Sequence, residues 1–517
     1  MANRFSDILF QLIHSLEKSE KRHFKLYITR SSGKEDLKIV QVFDAIDKMK
    51  EYDETLLLKK LNGIEKPQLS NIKTHLYKQL LASLRLLKRT DNIDLEMNEQ
   101  LDYARILYYK GLYHQSLKIL DKVKETVYHY HQDTLLIQVI SLEKKIETLH
   151  ITRNIQDRAD HLAAEANLVH ERRNLITQLS NLALQLYSLY VKSGHARNEK
   201  EEARVKNFFK EHLPENSHLL NGFYERLYLY QSYGWYSFIR QDFLMYYRYV
   251  QKWVDLFHSE PWMIDIETGN YIKGVHNLLN AHFDLRNFRK FDEVLKDFEK
   301  FSQSHIVQHH DNFKVQCFVY IYSAKLNQHL MSGTFKQGLK MVPLINKHLS
   351  EYHIYLDKHR YLVFNYKIAM LHFGSGDYDA SIDYLQNIIN DNVDLRSDLQ
   401  CYARLVHLMA HYELGNYMLI ESLTKSVYRF MAKMNNLTVI EEEMFKFLRA
   451  SFKISRHKMR QELKAFLNKI KHLEKNRFET RAFAYLDVIS WVESKVYDKT
   501  MSEVIHAKYL ENKRGGF

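Results

Sequence analysis

Four prolines and fifteen glycines in 517 residues leave this chain very few places to turn sharply. Average usage is roughly 7% glycine and 5% proline, so an all-β fold built on many tight turns is excluded, as is an enzyme fold that relies on glycine-rich loops. Apolar residues instead recur at i, i+3, i+4 and i+7 in almost every window. That spacing places them on one face of an α-helix. Met459, Leu463, Phe466, Ile470 and Leu473 form one such seam, with Arg456, Arg460 and Lys464 on its flank. No stretch alternates with the period of two that a half-buried strand requires. An all-α fold follows.

A unit recurs on this helical background. At Tyr108-Tyr109-Lys110-Gly111-Leu112-Tyr113 a glycine is followed two residues later by an aromatic, and Ser116, Leu120 and Val123 continue the frame. Gly376-Asp377-Tyr378 leads in the same way to Ser381, Leu385 and Ile388. Gly415-Asn416-Tyr417 leads to Ile420, Thr424 and Val427, and Gly333-Thr334-Phe335 to Gly338, Val342 and Ile345. Weaker copies lie at Arg153–Ile155, Gly194–Ala196, Gln241–Phe243 and near Phe291. Each copy predicts a helical hairpin. The glycine closes a first helix in the left-handed conformation, the aromatic opens a second, and a small residue three positions on lets the two helices approach. One hairpin leaves a face uncovered, so neighbours must stack.

Gly111/Tyr113/Ser116/Leu120 and Gly376/Tyr378/Ser381/Leu385, with Ala104 and Ala369 seven residues before the glycines, resemble the core of tetratricopeptide (TPR) repeats. The resemblance covers roughly residues 95–440. Markers recur at 39- to 48-residue intervals against the family's 34, which implies long helices, and Pro343 predicts a break within one second helix. The resemblance implies a right-handed α-solenoid of TPR-like hairpins (residues 91–440), flanked by helical caps at 1–90 and 441–517. It also implies a partner groove on the first helices, at positions three, six and ten before each glycine. These are Tyr108, Arg105 and Leu101 in one unit. Two later units give Phe373, Met370 and Tyr366, then Tyr412, Met409 and Leu405. The run from Ser15 to Arg22 is similar to the opening of a group of bacterial TPR-like proteins.

Charge is uneven along the chain. Residues 1–90 carry 18 basic against 11 acidic side chains and residues 446–517 carry 17 against 8, so the middle is mildly acidic. Basic ends suit an acidic partner such as nucleic acid, and they equally suit the solubility of array ends. Within the first segment, Asp53–Leu61, the break Asn62–Pro67 and the stretch from Gln68 resemble a helix-turn-helix. Gln68, Ser70, Asn71, Lys73, Thr74 and Lys78 supply the polar and basic side chains that reach base edges and phosphates in such a motif. Two helices of a capping bundle would read the same way.

Catalytic signatures are absent. Gly33-Lys34-Glu35 lacks the flanking residues of a phosphate loop, and no His-Glu-x-x-His or Gly-x-Ser-x-Gly occurs. His407 with His411, and His305, His309, His310 with Asp311, read as surface or packing histidines, and Glu441–Glu443 as a solvated helix start. The aromatics between Tyr224 and Trp253 read chiefly as hairpin packing. Two distant cysteines, Cys317 and Cys401, suit a reducing compartment, and the only apolar run near the start, Ile8–Ile13, is too short for a leader or a span. The expectation is a cytoplasmic, non-enzymatic scaffold that binds a protein or peptide in the groove, with no cofactor, metal or membrane role. Homodimerisation through an end repeat is compatible with it. The alternative is a DNA-binding regulator whose array senses or dimerises, and RNA association through the basic ends is a third reading.

Overall fold

The computed structural model describes residues 7–29, 34–61, 64–88, 92–149, 155–215, 222–353, 355–391, 396–434, 437–451, 454–476, 478–479 and 485–514. Among them the chain is all-α, with no strand. It divides into two compact units, Met1–Val169 and His170–Phe517.

The first unit contains α1 (Ile8–Ser15), α2 (Lys18–Thr29), α3 (Lys34–Asp47), α4 (Glu54–Lys60), α5 (Lys66–Leu87), α6 (Ile93–Tyr109), α7 (Tyr113–His129) and α8 (Asp133–Leu149). The boundary between units falls within α9 (Ile155–Ser193). Helices α1–α5 close around their own core, which includes Leu9, Phe24, Phe43, Leu57 and Leu76. Helices α6–α8 share another that includes Leu101, Ala104, Leu120 and Val139.

The second unit continues with α10 (Glu199–His212), α11 (Phe223–Ile239), α12 (Phe243–Ser259), α13 (Met263–Ile266), α14 (Thr268–Asp284), α15 (Phe288–Ser302) and α16 (His305–Gln308). Next come α17 (Asp311–Ser332), α18 (Phe335–Leu339), α19 (Val342–Glu351), α20 (Lys358–Ser375), α21 (Tyr378–Ile389), α22 (Ser397–Glu413) and α23 (Tyr417–Lys433). The last four are α24 (Val439–Ser451), α25 (Arg456–Lys471), α26 (Val488–Tyr497) and α27 (Met501–Arg514). Most helices pack on their neighbours in sequence. Within that order, α14 also packs on α17, α17 on α20, and α20 on α22, so the first helices of successive hairpins form a continuous layer.

The hairpin geometry follows from a few residues. Gly333 and Gly376 end α17 and α20 with φ of +68° and +86°, where a side chain would be strained. Ser381 then donates its hydroxyl to the Ala369 carbonyl at 2.9 Å, and Ser116 does the same to Ala104 at 2.7 Å. Both serines are buried where the two helices of a hairpin come closest. The turns of the weaker copies use other residues in the left-handed region, Gln241 and Arg286, so the unit near Phe291 in fact turns at Arg286 and opens α15 at Phe288. The copy at Gly194–Ala196 opens no aromatic-led helix, because α10 begins only at Glu199, and Arg153 and Asn154 lie outside the described residues. Pro343 sits in the first turn of α19, where its missing N–H costs nothing, and the second helix of that hairpin is split into α18 and α19.

The C-terminal stretch does more than cap. Helices α24 and α25 extend the succession, and α26 packs on α25. Then α27 returns to pack against α17 and α20. Thr500 and Glu503 box its N-terminus, the Glu503 carboxylate accepting from the Thr500 N–H at 2.8 Å. Ser502 donates to the Gly333 carbonyl at 2.6 Å, and His506 Nδ1 bonds the Ser332 carbonyl at 2.9 Å. Glu441, expected to be solvated, is fully buried, because it boxes the start of α24 from Thr438 and accepts from Tyr402 at 2.9 Å.

Replacing the small hairpin residue should therefore be costly. Ser381→Leu forces α20 and α21 apart and strands the Ala369 carbonyl, and a loss of about 2–4 kcal/mol is expected in urea unfolding.

Candidate binding cavity

The second unit encloses a cavity of about 640 Å³ along the layer of first helices. Its walls come from the end of α9, from α11, α14, α17 and α20, from the start of α22, and from the returning chain around Tyr485 and α27. One wall is aromatic. The rings of Tyr187 and Trp235 lie 4.9 Å apart, and Tyr190 stacks on Trp235 at 5.7 Å.

The adjoining wall is basic. The Lys273 ammonium lies 5.8 Å from the ring centres of Tyr187 and Trp235 and 5.4 Å from that of Tyr320, a set of cation–π contacts. His276, one turn further along α14, stacks on Tyr320 at 4.0 Å. From α20, Lys367 donates to the Ser323 hydroxyl and, at 3.2 Å, to the Ser323 carbonyl. Neither Lys273 nor Lys367 has a carboxylate within ion-pair distance among the described residues. Arg396 is different. It forks onto Asp398 at 2.9 and 3.1 Å and donates to the Tyr485 hydroxyl at 3.0 Å.

Proton affinities respond to this crowding of positive charge. Burial, then the charge of Arg396, pushes the Lys367 ammonium down to about 7. Burial, then Lys273, Lys367 and Arg360, holds His276 well below the ordinary imidazole range. Burial and Arg396 push His359 down to about 4. At the other end of α14, burial raises the Asp284 carboxyl to about 8. The cavity thus has a basic end and, at Asp284, a carboxyl that holds its proton far above the ordinary carboxylate range.

The sequence-derived groove residues divide between this cavity and the core. Tyr366 and Met370 line the cavity, and Tyr366 donates its hydroxyl to the Tyr485 carbonyl at 3.0 Å. Both also belong to the buried core that holds Phe373, Leu405 and Met409, which do not line the cavity. Trp491 of α26 belongs to that same core, lies against Tyr412 at 6.1 Å and donates to Glu413 at 2.5 Å. The returning chain covers the surface that the repeat frame left open for a partner. In the first unit, Leu101 is buried, Tyr108 is half-buried beneath the Lys145 ammonium, and Arg105 pairs with Asp102 at 3.0 Å and donates to Gln138 at 2.9 Å.

On α5, Gln68, Ser70, Asn71, Thr74 and Lys78 are exposed. Lys73 is not a free cation, since it pairs with Asp7 and donates to Tyr52 at 2.7 Å. Its role is to tie α5 to the start of α1. Asn62 and Gly63 of the intervening turn lie outside the described residues. No group of three or more potential metal ligands converges among the described residues. No helix among them is long and apolar enough to cross a membrane.

No family model matches the chain, and no curated protein matches it.

Lys273, His276, Lys367 and Arg396 were not singled out by the sequence reading, although a signal exists. Lys273, His276, Asn277, Asn280 and Asp284 recur at helical spacing and make a polar stripe on α14, whose other faces are buried.

Lys367 has a consequence for stability. The unfolded chain holds this proton up to about 10.5 and the folded chain releases it from about 7, so the folded state gains stability as pH rises between those values. Lys367→Met removes the buried base at nearly constant volume. It should raise the melting temperature by a few degrees near pH 7, and the gain should shrink as pH approaches about 10.5.

Proposed function

We propose that this chain is a non-enzymatic binding protein, a TPR-like right-handed solenoid with helical ends, whose layer of first helices receives part of a partner protein. The observation that carries this reading is the cavity. It follows the first helices of four hairpins, Tyr366 and Met370 face it from positions the repeat frame assigns to a ligand, and its aromatic and basic walls suit recognition. The returning α26 and α27 shorten the available surface, so a few residues of a partner fit better than a long helix. A reducing, cytoplasmic setting suits the two free, buried cysteines.

A second reading, DNA binding through the first unit, is favoured by the exposed row of Gln68, Asn71 and Lys78 on α5, with Ser70 and Thr74 beside it.

One experiment separates them: affinity capture of the tagged full-length protein, with and without nuclease. The scaffold reading expects a stoichiometric, nuclease-resistant protein partner. That partner should be lost on Trp235→Ala and weakened by Met370→Ala, with the fold of each variant checked by its melting curve, and kept on Met418→Asp, a position 96% exposed outside the cavity. Retention by the cavity variants would contradict it. Recovery of nucleic acid that depends on Asn71 and Lys78 would support the second reading instead, with a steep fall in binding as salt rises.

A further inference from the structure

Two lysines that share one wall without a counter-ion are costly to fold around, and nothing in the hairpin architecture requires them. They converge on one turn of α17: Lys273 sits over the Tyr320 ring and Lys367 is bonded to Ser323, three residues further along. His276, stacked on Tyr320, feels both charges. Arg396 and its partner Asp398 close the same end, with the Tyr485 hydroxyl donating to Asp398. Asp398 is engaged by Arg396 and Tyr485, so neither Lys273 nor Lys367 draws a carboxylate counter-ion from this wall.

We infer that the cavity binds a small aromatic phosphate monoester of the mononucleotide class, its phosphate held between Lys273 and Lys367 and its ring against the Tyr187–Tyr190–Trp235 wall. Three features select this chemistry. Two lysines without a carboxylate partner match a phosphate monoester, which carries roughly −1.5 to −2 charge at neutral pH and draws a proton onto Lys367 as it binds, better than a single carboxylate. Lys273 lies 5.8 Å from the Trp235 and Tyr187 rings, so the basic and aromatic walls meet at that side chain and one ligand can touch both. The volume of about 640 Å³ falls within the range of small-molecule sites. Orientation follows from α14, where Asp284 lies eleven residues beyond Lys273, roughly 16 Å along the helix axis. Its protonated carboxyl can donate a hydrogen bond to a ring nitrogen or carbonyl, whereas it would repel a phosphate once ionised.

The inference goes beyond the partner reading in giving the same cavity a small-molecule ligand, shares with it only the assignment of this layer of helices as a binding face, and is tested apart from partner capture. The full-length protein is titrated by calorimetry near neutral pH with adenosine monophosphate, phenyl phosphate, adenosine and inorganic phosphate. Adenosine monophosphate or phenyl phosphate should bind with heat and raise the melting temperature, and adenosine should bind at least about tenfold more weakly. Lys273→Met with Lys367→Met should abolish binding while the variant melts no lower than the parent, which separates lost recognition from lost folding. Trp235→Ala should weaken the two aromatic phosphates and leave any binding of inorganic phosphate unchanged. Absence of binding by both aromatic phosphates, or undiminished binding by the double methionine variant, overturns the inference. So does inorganic phosphate binding as tightly as the aromatic esters. If these fail while partner capture still depends on Trp235 and Met370, only the inference falls; if both fail, the reading of the face falls with it.

Discussion

The packing of two helices within a hairpin is the contact on which the rest of this fold depends, and in the α6–α7 and α20–α21 pairs a small residue sets it. At Ser381 and Ala369 a hydroxyl reaches across the interface to a helix carbonyl, which is possible only because the serine side chain is short. Ser116 and Ala104 repeat the arrangement in the other unit. A larger residue would separate the helices and open the hydrophobic seam that each hairpin offers to its neighbour. A lone hairpin cannot bury both faces, so every pair takes its stability from the next. Among the described residues, separate local clusters of buried side chains are the outcome.

Stacking of this kind creates a layer of first helices with nothing in sequence to cover it. The chain covers part of that layer itself. Trp491 packs beside Tyr412, Tyr485 stacks on Tyr402 at 4.2 Å, and α27 bonds the turn at Gly333. A Cβ at Gly333 would come within 2.7 Å of the Ser502 carbonyl, so the same glycine serves both the hairpin turn and the docking of α27. What remains uncovered is the cavity, and its chemistry is unlike a packing surface. Apolar side chains would fill such a space at lower cost than Lys273 and Lys367. A pair of half-buried lysines without a carboxylate partner is a departure from local consistency, and such departures are where binding sites are expected.

Much of the hairpin pattern was legible in the sequence because it is written locally. Gly376-Asp377-Tyr378 carries its turn, its helix start and its spacing within a dozen residues, and Pro343 announced the break between α18 and α19. The turns at Gln241 and Arg286 were harder to place, since side chains other than glycine hold the left-handed conformation there. The candidate site was mostly hidden. Of the positions that the repeat frame marks in these helices, Tyr366 and Met370 line the cavity, whereas Phe373, Leu405 and Met409 share that frame and lie away from it. Trp491, about 80 residues or more along the chain, joins that core and bonds Glu413, and no local pattern encodes a return of that length. Lys73 misled for a related reason: its outward-looking position on α5 is claimed by Asp7, 66 residues earlier.

The account's central claim is that the layer of first helices around Lys273 and Lys367 is where this protein meets its ligand. Hydrogen–deuterium exchange on the full chain, with and without its captured partner, tests this most directly. The account predicts slower exchange in peptides covering α14, α20 and α27. Protection confined to α5, or to the second helices α15, α21 and α23, would contradict it.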